Sequence, residues 1–304
     1  MWKKAARFVF DSICDDLGYP ASVISLVNQE PGLNMPLVEY EKGISAEEVV
    51  KWDRFGQMAL GYSWPTPGRL RGWTYSPGSH CNYGDTSIQR DDLANLGAEY
   101  EIQDWTCDIQ DVDGFAASKS DLRMFKSMDA MVERNSKALI TDVSPERLAE
   151  HLSWDEIRII SREDHDYFAT WAWDRRVFLM NSGGSHHFAA AKYIAARIDV
   201  KVPLKGRYRV YGLNETALAS LRRDFDIFVL SSWAEHQNAF YRAMRAFQAT
   251  YFCQALPQPY SEQHAIFLPK AEKRSVKVSE ILRNAGFQDL GLYLKSLSKQ
   301  SNPG

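Results

Sequence analysis

The sequence predicts a mixed α/β fold in which helices cover a sheet. Three observations carry that expectation. Between residues 137 and 270, short apolar runs alternate with segments of helical periodicity. Within that stretch an apolar strand, a glycine turn and an alanine-rich helix follow one another at 176–193. The 304 residues are 45% hydrophobic and 25% charged, the balance of a chain that buries a full core. This composition excludes a wholly disordered, collagen-like or coiled-coil protein. A formal net charge of -3 supplies no global basic field for nucleic acid, which leaves only a local basic patch as a route to it.

In chain order, residues 1–17 read as an amphipathic helix. Trp2, Ala6, Val9, Ile13 and Leu17 recur at spacings of three and four, and Gly18 is a stop. The apolar run Phe8-Val9-Phe10 is broken by Asp11, with Asp15 and Asp16 close behind. A secretory leader needs a longer uncharged run. No window reaches the roughly 18 apolar residues of a membrane span. Cys14, Cys81, Cys107 and Cys253 form no C-x-x-C pair. A soluble, cytoplasmic protein is therefore expected. Residues 46–58 read as a short helix. From 61 to 84, five glycines, three prolines and five aromatics read as a structured loop or short irregular strands. The acidic segment 99–113 has no helix signal, and Ser120 is placed to cap a helix ending at Asn135.

After residue 137 the pattern is regular. Residues 137–143 read as a strand, and Ser144-Pro145 opens a helix to Leu152. Strands are expected at 157–160, 167–173 and 176–180, a turn at 182–184 and a helix at 185–197. Strands at 200–204 and 208–213 lead to a helix capped by Asn214, and 227–230 is apolar and strand-like. Ser232 and Glu235 have the spacing of a capping box, opening a helix to Phe252. Phe240, Met244, Phe247 and Tyr251 share one face of it. A short strand at 266–268, helices at 279–285 and 288–298, and a frayed tail at 301–304 complete the chain. The division expected from this pattern separates residues 1–115, a helix and an irregular aromatic region, from an α/β core at 116–304 with C-terminal helices.

The chemistry concentrates between Arg176 and Tyr193. A helix start leaves backbone N–H groups unpaired and carries partial positive charge. Glycine lets the backbone approach a ligand and take positive φ. Ser185, His186 and His187 add side-chain donors beside those amides, which makes a cradle for phosphate or carboxylate. Ala189, Ala190 and Ala191 allow the helix to pack closely on a sheet. The plainer reading is that the glycines serve turn geometry alone, that Ser185 is an N-cap and that the imidazoles bond nearby carbonyls.

Gly184-Ser185-His186-His187 resembles the nucleotide-binding turn of the ParB/sulfiredoxin-like superfamily. There a strand leads into a Gly-x-His-Arg or Gly-Glu-Arg-Arg turn, then a helix with alanine three residues after the last arginine. Ala190 stands at that alanine. Val202-Pro203, in the segment 200–204, stands where the returning strand of the family often carries a Val-Pro pair. The resemblance covers about residues 137–210. It implies a ParB/sulfiredoxin-like mixed sheet with flanking helices, and a nucleotide, ATP or CTP with Mg²⁺. Its phosphates would be held by Asn181, Gly183, Gly184, Ser185, His186 and His187. Ser185 occupies the place of the sulfiredoxin catalytic cysteine, and His187 that of the phosphate-binding arginine.

Further groupings complete the reading. Asp164 and Asp166 precede the aromatic strand, and a hairpin would bring them to the glycine turn. There they would hold Mg²⁺ or act as a general base, or stand as solvated loop charges. With Ser185 and His186 they form the candidate catalytic set for phosphoryl transfer or nucleotide hydrolysis. His80-Cys81 is a candidate thiol site without a helix start to lower its pKa. Trp64, Arg69, Arg71, Trp73 and Tyr75 mix rings and cations, which suits stacking on bases, a protein partner or ordinary packing. They support the alternative of a non-enzymatic interaction module built on residues 61–84. The pairs Arg175-Arg176 and Arg222-Arg223 read as solvated faces.

Overall fold

Buried side chains form separate cores in two units. One unit comprises Met1–Glu39, Lys51–Gly97 and Leu213–Gln300; the other holds Tyr40–Val50 and Ala98–Gly212. The computed structural model describes residues 10–39, 41–58, 66–78, 82–162 and 165–299. Trp64, His80, Cys81, Asp164 and the tail 301–304 lie outside the described residues, as does the start of the N-terminal helix.

In the first unit, α1 (residues 10–16) ends at Gly18, whose φ of 83° only glycine adopts freely. Helix α2 (Ala21–Gln29) precedes a hairpin of β1 (Arg69–Tyr75) and β2 (Tyr83–Gln89), followed by α3 (Asp91–Ala94). The irregular region expected at 61–84 is thus, in its described part, a regular antiparallel pair. Gly72 lets β1 join a further strand on its other side: a Cβ there would lie 1.9 Å from the Tyr251 carbonyl oxygen.

The second unit is a mixed sheet. It contains β3 (Gly97–Asp108), β4 (Gly114–Phe115), β5 (Tyr167–Trp171), β6 (Phe178–Met180) and β7 (Pro203–Leu213). The strand order is β3-β7-β5-β6-β4. Strand β5 runs antiparallel to β6 and parallel to β7, and β4 runs parallel to β6. Because β4 pairs with β6, the division expected between 115 and 116 falls inside this unit. Helices α4 (Met128–Asn135), α5 (Pro145–Leu152), α6 (Arg158–Ser161) and α7 (Ser185–Arg197) flank the sheet. Ala189, Ala190 and Ala191 of α7 are fully buried with Phe188, in one core with Phe115, Met131, Leu148 and Phe168.

The first unit resumes with α8 (Glu215–Asp224), whose cap Asn214 accepts a hydrogen bond from Ala217 N–H as its position predicts. Then come β8 (Phe225–Ser231), α9 (Ala234–Ala246), β9 (Tyr251–Ala255), β10 (Gln263–Pro269), α10 (Lys273–Asn284) and α11 (Leu290–Ser298). The sheet order is β2-β1-β9-β10-β8, and the pairings are antiparallel. Phe240, Met244 and Phe247 join Phe228, Leu268 and Val278 in its core.

The mixed α/β class is therefore as expected, while several elements differ. Residues 137–143 are no strand: Lys137–Ile140 form a 3-10 turn. Residues 157–160 belong largely to α6. Short apolar runs do not distinguish strand from helical turn, and here Leu139, Ile157 and Ile159 reach the core from turns. The strands expected at 200–204 and 208–213 are one, β7, continuous through Gly206. Ser120 caps nothing; Ser127 caps α4 by accepting from Ala130 N–H. Ser232 makes no capping box, since its hydroxyl donates to the Ser261 carbonyl. Helix α9 stops at Ala246 and Gln248 takes a φ of 54°, so Tyr251 sits on a strand instead. Helix α10 begins at Lys273, capped by Glu272. The acidic segment 99–113 supplies most of β3, and 46–58 holds two 3-10 turns, Ala46–Glu48 and Trp52–Gln57. No helix among the described residues is long and apolar enough to cross a membrane.

Arg176 is no solvated charge. Its guanidinium donates to Asp174 Oδ1 at 2.6 Å and to the Gly43 carbonyl at 2.7 Å. Lys42 Nζ donates to Asp174 Oδ2 at 2.7 Å, and the Asp174 side chain is 1% exposed. Burial pushes this carboxyl pKa up, but the hydrogen bonds from Arg176 and Lys42 outweigh burial and leave it below its ordinary value. A buried pair that loses one partner leaves a charge uncompensated, so Asp174→Ala is expected to cost about 3 kcal/mol at pH 7. The lowered pKa makes this contribution complete above the unfolded carboxyl value of about 3.9 and lost as pH falls through the folded value. Urea midpoints of parent and variant should converge on the acid side; parallel curves down to pH 2 would refute the assignment.

Candidate functional site

The expected hairpin brings the predicted residues together. Strands β5 and β6 pair with Tyr167 opposite Met180, which sets Asp166 beside the turn that follows β6. Asp166 Oδ1 accepts from the backbone N–H of Ser182 at 3.3 Å and from its hydroxyl at 3.1 Å. Asn181 clamps the other side. Its amide exchanges hydrogen bonds with the Ala117 backbone and donates to the Gly183 carbonyl at 2.9 Å. Asp166 and Asn181 are 1% and 5% exposed, so both hold the turn from within.

Gly184 is the N-cap of α7, with φ 70° and ψ 5°, and no side chain caps this helix. Ser185 is the first helical residue, so it is not the N-cap. A Cβ on Gly184 would lie 2.6 Å from the Glu156 carbonyl oxygen. The backbone N–H groups of the first turn have no acceptor within the helix. The turn opens on a cleft of about 590 Å³. Residues Ser182 to His187 form one wall, Ser118, Lys119 and Ser136 another, and Trp154 and Glu156 a third.

Both imidazoles are engaged within the protein. His186 Nδ1 bonds the Ser136 hydroxyl, and its Nε2 lies 3.1 Å from Ser120 Oγ. Asn135 Nδ2 in turn donates to Ser120 Oγ at 2.7 Å. His187 Nδ1 lies 3.0 Å from His151 Nδ1, and His151 Nε2 lies 2.8 Å from the Leu139 carbonyl. A carbonyl only accepts, so His151 carries its proton on Nε2. In the neutral pair its Nδ1 accepts from His187 Nδ1–H, which leaves His187 Nε2 as an acceptor. The His187 ring stacks on Trp154 with centroids 4.0 Å apart. Ser185 Oγ donates to Ser118 Oγ at 2.9 Å. The donors left facing the cleft are thus the amides and Lys119, not the imidazoles expected from sequence.

Sequence reasoning missed Lys119, Trp154, Ser136 and Arg158. Arg158 Nη1 donates to Ser182 Oγ and would lie 3.3 Å from a Cβ on Gly183. No spacing rule links these residues to the glycine turn; the fold assembles them from the 117–120 loop, the end of α4 and the 154–158 turn. Among the described residues, no three His, Cys, Asp or Glu side chains converge to hold a metal ion. Asp166 Oδ1 is already occupied by Ser182. Its Oδ2 is buried without a hydrogen-bond partner, and Asp164, the other carboxylate expected to hold Mg²⁺, lies outside the described residues. Of the aromatic and basic group, Trp73 and Tyr75 pack against the first unit's core, while Arg69 and Arg71 are exposed.

Burial lowers the His186 pKa, helped by Lys119, and burial with neighbouring His151 and Arg147 lowers that of His187. The folded chain therefore binds protons less readily than the unfolded one. Stability from this source is complete above the unfolded imidazole value of about 6.5 and is lost as pH falls through the folded values. Urea midpoints should drop between pH 7.5 and 5, with a shallower drop in His186→Gln/His187→Gln. Imidazole proton resonances titrating above pH 7 would contradict this.

No curated protein and no solved structure matches the chain. A family model does, over residues 102–303, about two thirds of the length. That span holds the cleft and the whole of α7, and the chain belongs to this family, DUF6685, a family of unknown function.

Proposed function

We propose that the cleft binds a nucleoside triphosphate through its phosphates, ATP or CTP as the ParB/sulfiredoxin-like resemblance implies. One observation carries the reading: the uncapped start of α7, preceded by left-handed Gly184, opens on a 590 Å³ cleft beside Lys119. Unpaired amides and the helix dipole favour an anion there. The volume falls within the range of about 300–1,000 Å³ usual for ligand sites. Lys119 and Arg158 add positive charge around the turn. Trp154 is 45% exposed and stacks on His187, which leaves its outer face for a base. Glu156, on the same wall, suits the hydroxyls of a sugar as acceptor.

Transfer or hydrolysis of the terminal phosphoryl group is the reaction such a cradle favours, because positioning and charge stabilisation do most of that work. His187 Nε2, the ring nitrogen not spent on His151, would take a proton from the attacking water or hydroxyl. Ser185, His186 and Asp166 would hold the amides and the turn in place. Mg²⁺ would arrive on the phosphates rather than on a protein site. The reading places the protein in the cytoplasm, where nucleoside triphosphates are supplied.

Thermal unfolding tests this directly. At about 100 times its Kd a ligand adds about 2.7 kcal/mol to stability, so ATP or CTP should raise Tm by several degrees and inorganic phosphate by less. Lys119→Ala should weaken nucleotide binding about tenfold, the loss of one charge-assisted contact. His187→Gln should keep binding and lose phosphate release. If neither nucleotide shifts Tm at millimolar concentration, the reading fails.

A further inference from the structure

The first unit contains a second cavity, unlike the cleft in its chemistry. It is a half-open pocket of about 270 Å³ between one face of the sheet and α9. Trp73, Tyr251, Phe240 and Tyr241 supply four aromatic rings to its wall. Trp73 and Tyr251 are cross-strand neighbours on β1 and β9, stacked with centroids 5.2 Å apart. Tyr241 meets Trp73 edge-on at 5.6 Å. No Asp, Glu, Lys or Arg lines the space.

The unexplained group is His264. It lies on β10, an interior strand between β9 and β8, with its backbone in the ladder. The residue is 7% exposed, its side chain lines the cavity, and its Nδ1 is buried without a hydrogen-bond partner. Buried polar atoms are nearly always paired, because leaving one unpaired forfeits its hydration. A leucine or phenylalanine would fill this place without that penalty, so an imidazole there calls for a partner that the chain does not supply. Burial lowers the His264 pKa to about 4 and raises that of the adjacent Cys253 thiol to about 12. Both groups are uncharged at neutral pH. The wall adds side-chain amides and hydroxyls, from Gln237, Asn238, Tyr241 and Tyr251.

We propose that this cavity binds a small, uncharged, planar heteroaromatic molecule, stacked among Trp73, Tyr241 and Tyr251 and hydrogen-bonded to the imidazole of His264. The rings favour a flat partner through offset stacking. The lack of any cationic side chain excludes carboxylates and phosphates, whose desolvation nothing would offset. The size agrees: an apolar cavity of about 150 Å³ accommodates benzene, so one of this volume admits a fused pair of rings. The neutral imidazole offers one donor and one acceptor, which matches a ring that carries an N–H or a bare ring nitrogen. This site is independent of the cleft at α7, and the two readings stand or fall separately.

Benzimidazole is the probe, titrated into the full chain with calorimetry and with the Trp73 indole N–H resonance as reporter. Saturable binding with a Kd of about 1 mM or tighter is expected for nine non-hydrogen atoms. It should move the Trp73 resonance, and excess ATP should not compete with it. Benzoate, equally flat but charged, should not bind. His264→Leu should weaken benzimidazole about tenfold, the penalty of removing a built hydrogen-bond partner. Should that variant fail to fold, the His264 ring carbon resonance in the parent decides instead, and it must shift with benzimidazole. Absence of saturable binding, an unmoved His264 resonance, or equal affinity in a folded His264→Leu overturns the proposal.

Discussion

At Gly184 the backbone turns left-handed, a Cβ there would lie 2.6 Å from the Glu156 carbonyl oxygen, and much of the second unit depends on that close approach. Any side chain there would push the 154–158 turn away from the start of α7. Because the turn is tight, α7 leaves β6 at once and lays Phe188, Ala189, Ala190 and Ala191 on the core. Small residues at the contact let helix and sheet approach closely, and the turn sets the angle at which they meet. The same glycine offers no side chain to cap the helix, so the packing solution and the open amides have one cause.

Around that turn, polar groups are arranged to hold geometry more than to present themselves. Asn181 and Asp166 tie the turn to the 116–118 segment and to the start of β5. Ser120, Ser136 and Asn135 bracket His186, while His151 and Trp154 fix His187 in ring orientation and, in the neutral pair, in tautomer. A network of this kind holds its members in place through shared hydrogen bonds, and a rigid frame lets backbone amides act as preorganised donors. Low imidazole pKa values belong to the same design. Neutral rings hold their hydrogen bonds in place, whereas protonated ones would set His187 against His151 and Arg147.

The two cavities show how wall chemistry selects a ligand class. The cleft at α7 combines open amides, a lysine, a carboxylate and one exposed ring, which suits a ligand carrying both charge and a flat part. The cavity over β9 and β10 has rings and neutral polar groups only, which suits a ligand without charge. In each case the informative feature was a polar group without a partner in the chain: the helix-start amides after Gly184 in the first, a buried imidazole in the second.

By itself the sequence determined the mixed α/β class, the strand–turn–helix order at 176–197, the caps at Ser144 and Asn214, and the glycine stop at Gly18. All of these rest on contacts within a few residues, where local chemistry decides. It marked Asn181 to His187 as one neighbourhood for the same reason. Tertiary structure decided whether the apolar runs at 137–143 and 157–160 became strands or turns, since either packs a leucine or isoleucine inward. It decided that Tyr251 would leave its helix for a strand, because the sheet needed a partner for Trp73. It also decided which donors face the cleft: Lys119, Trp154 and Ser136 arrive from segments dozens of positions away, and no periodicity in a single chain encodes that meeting.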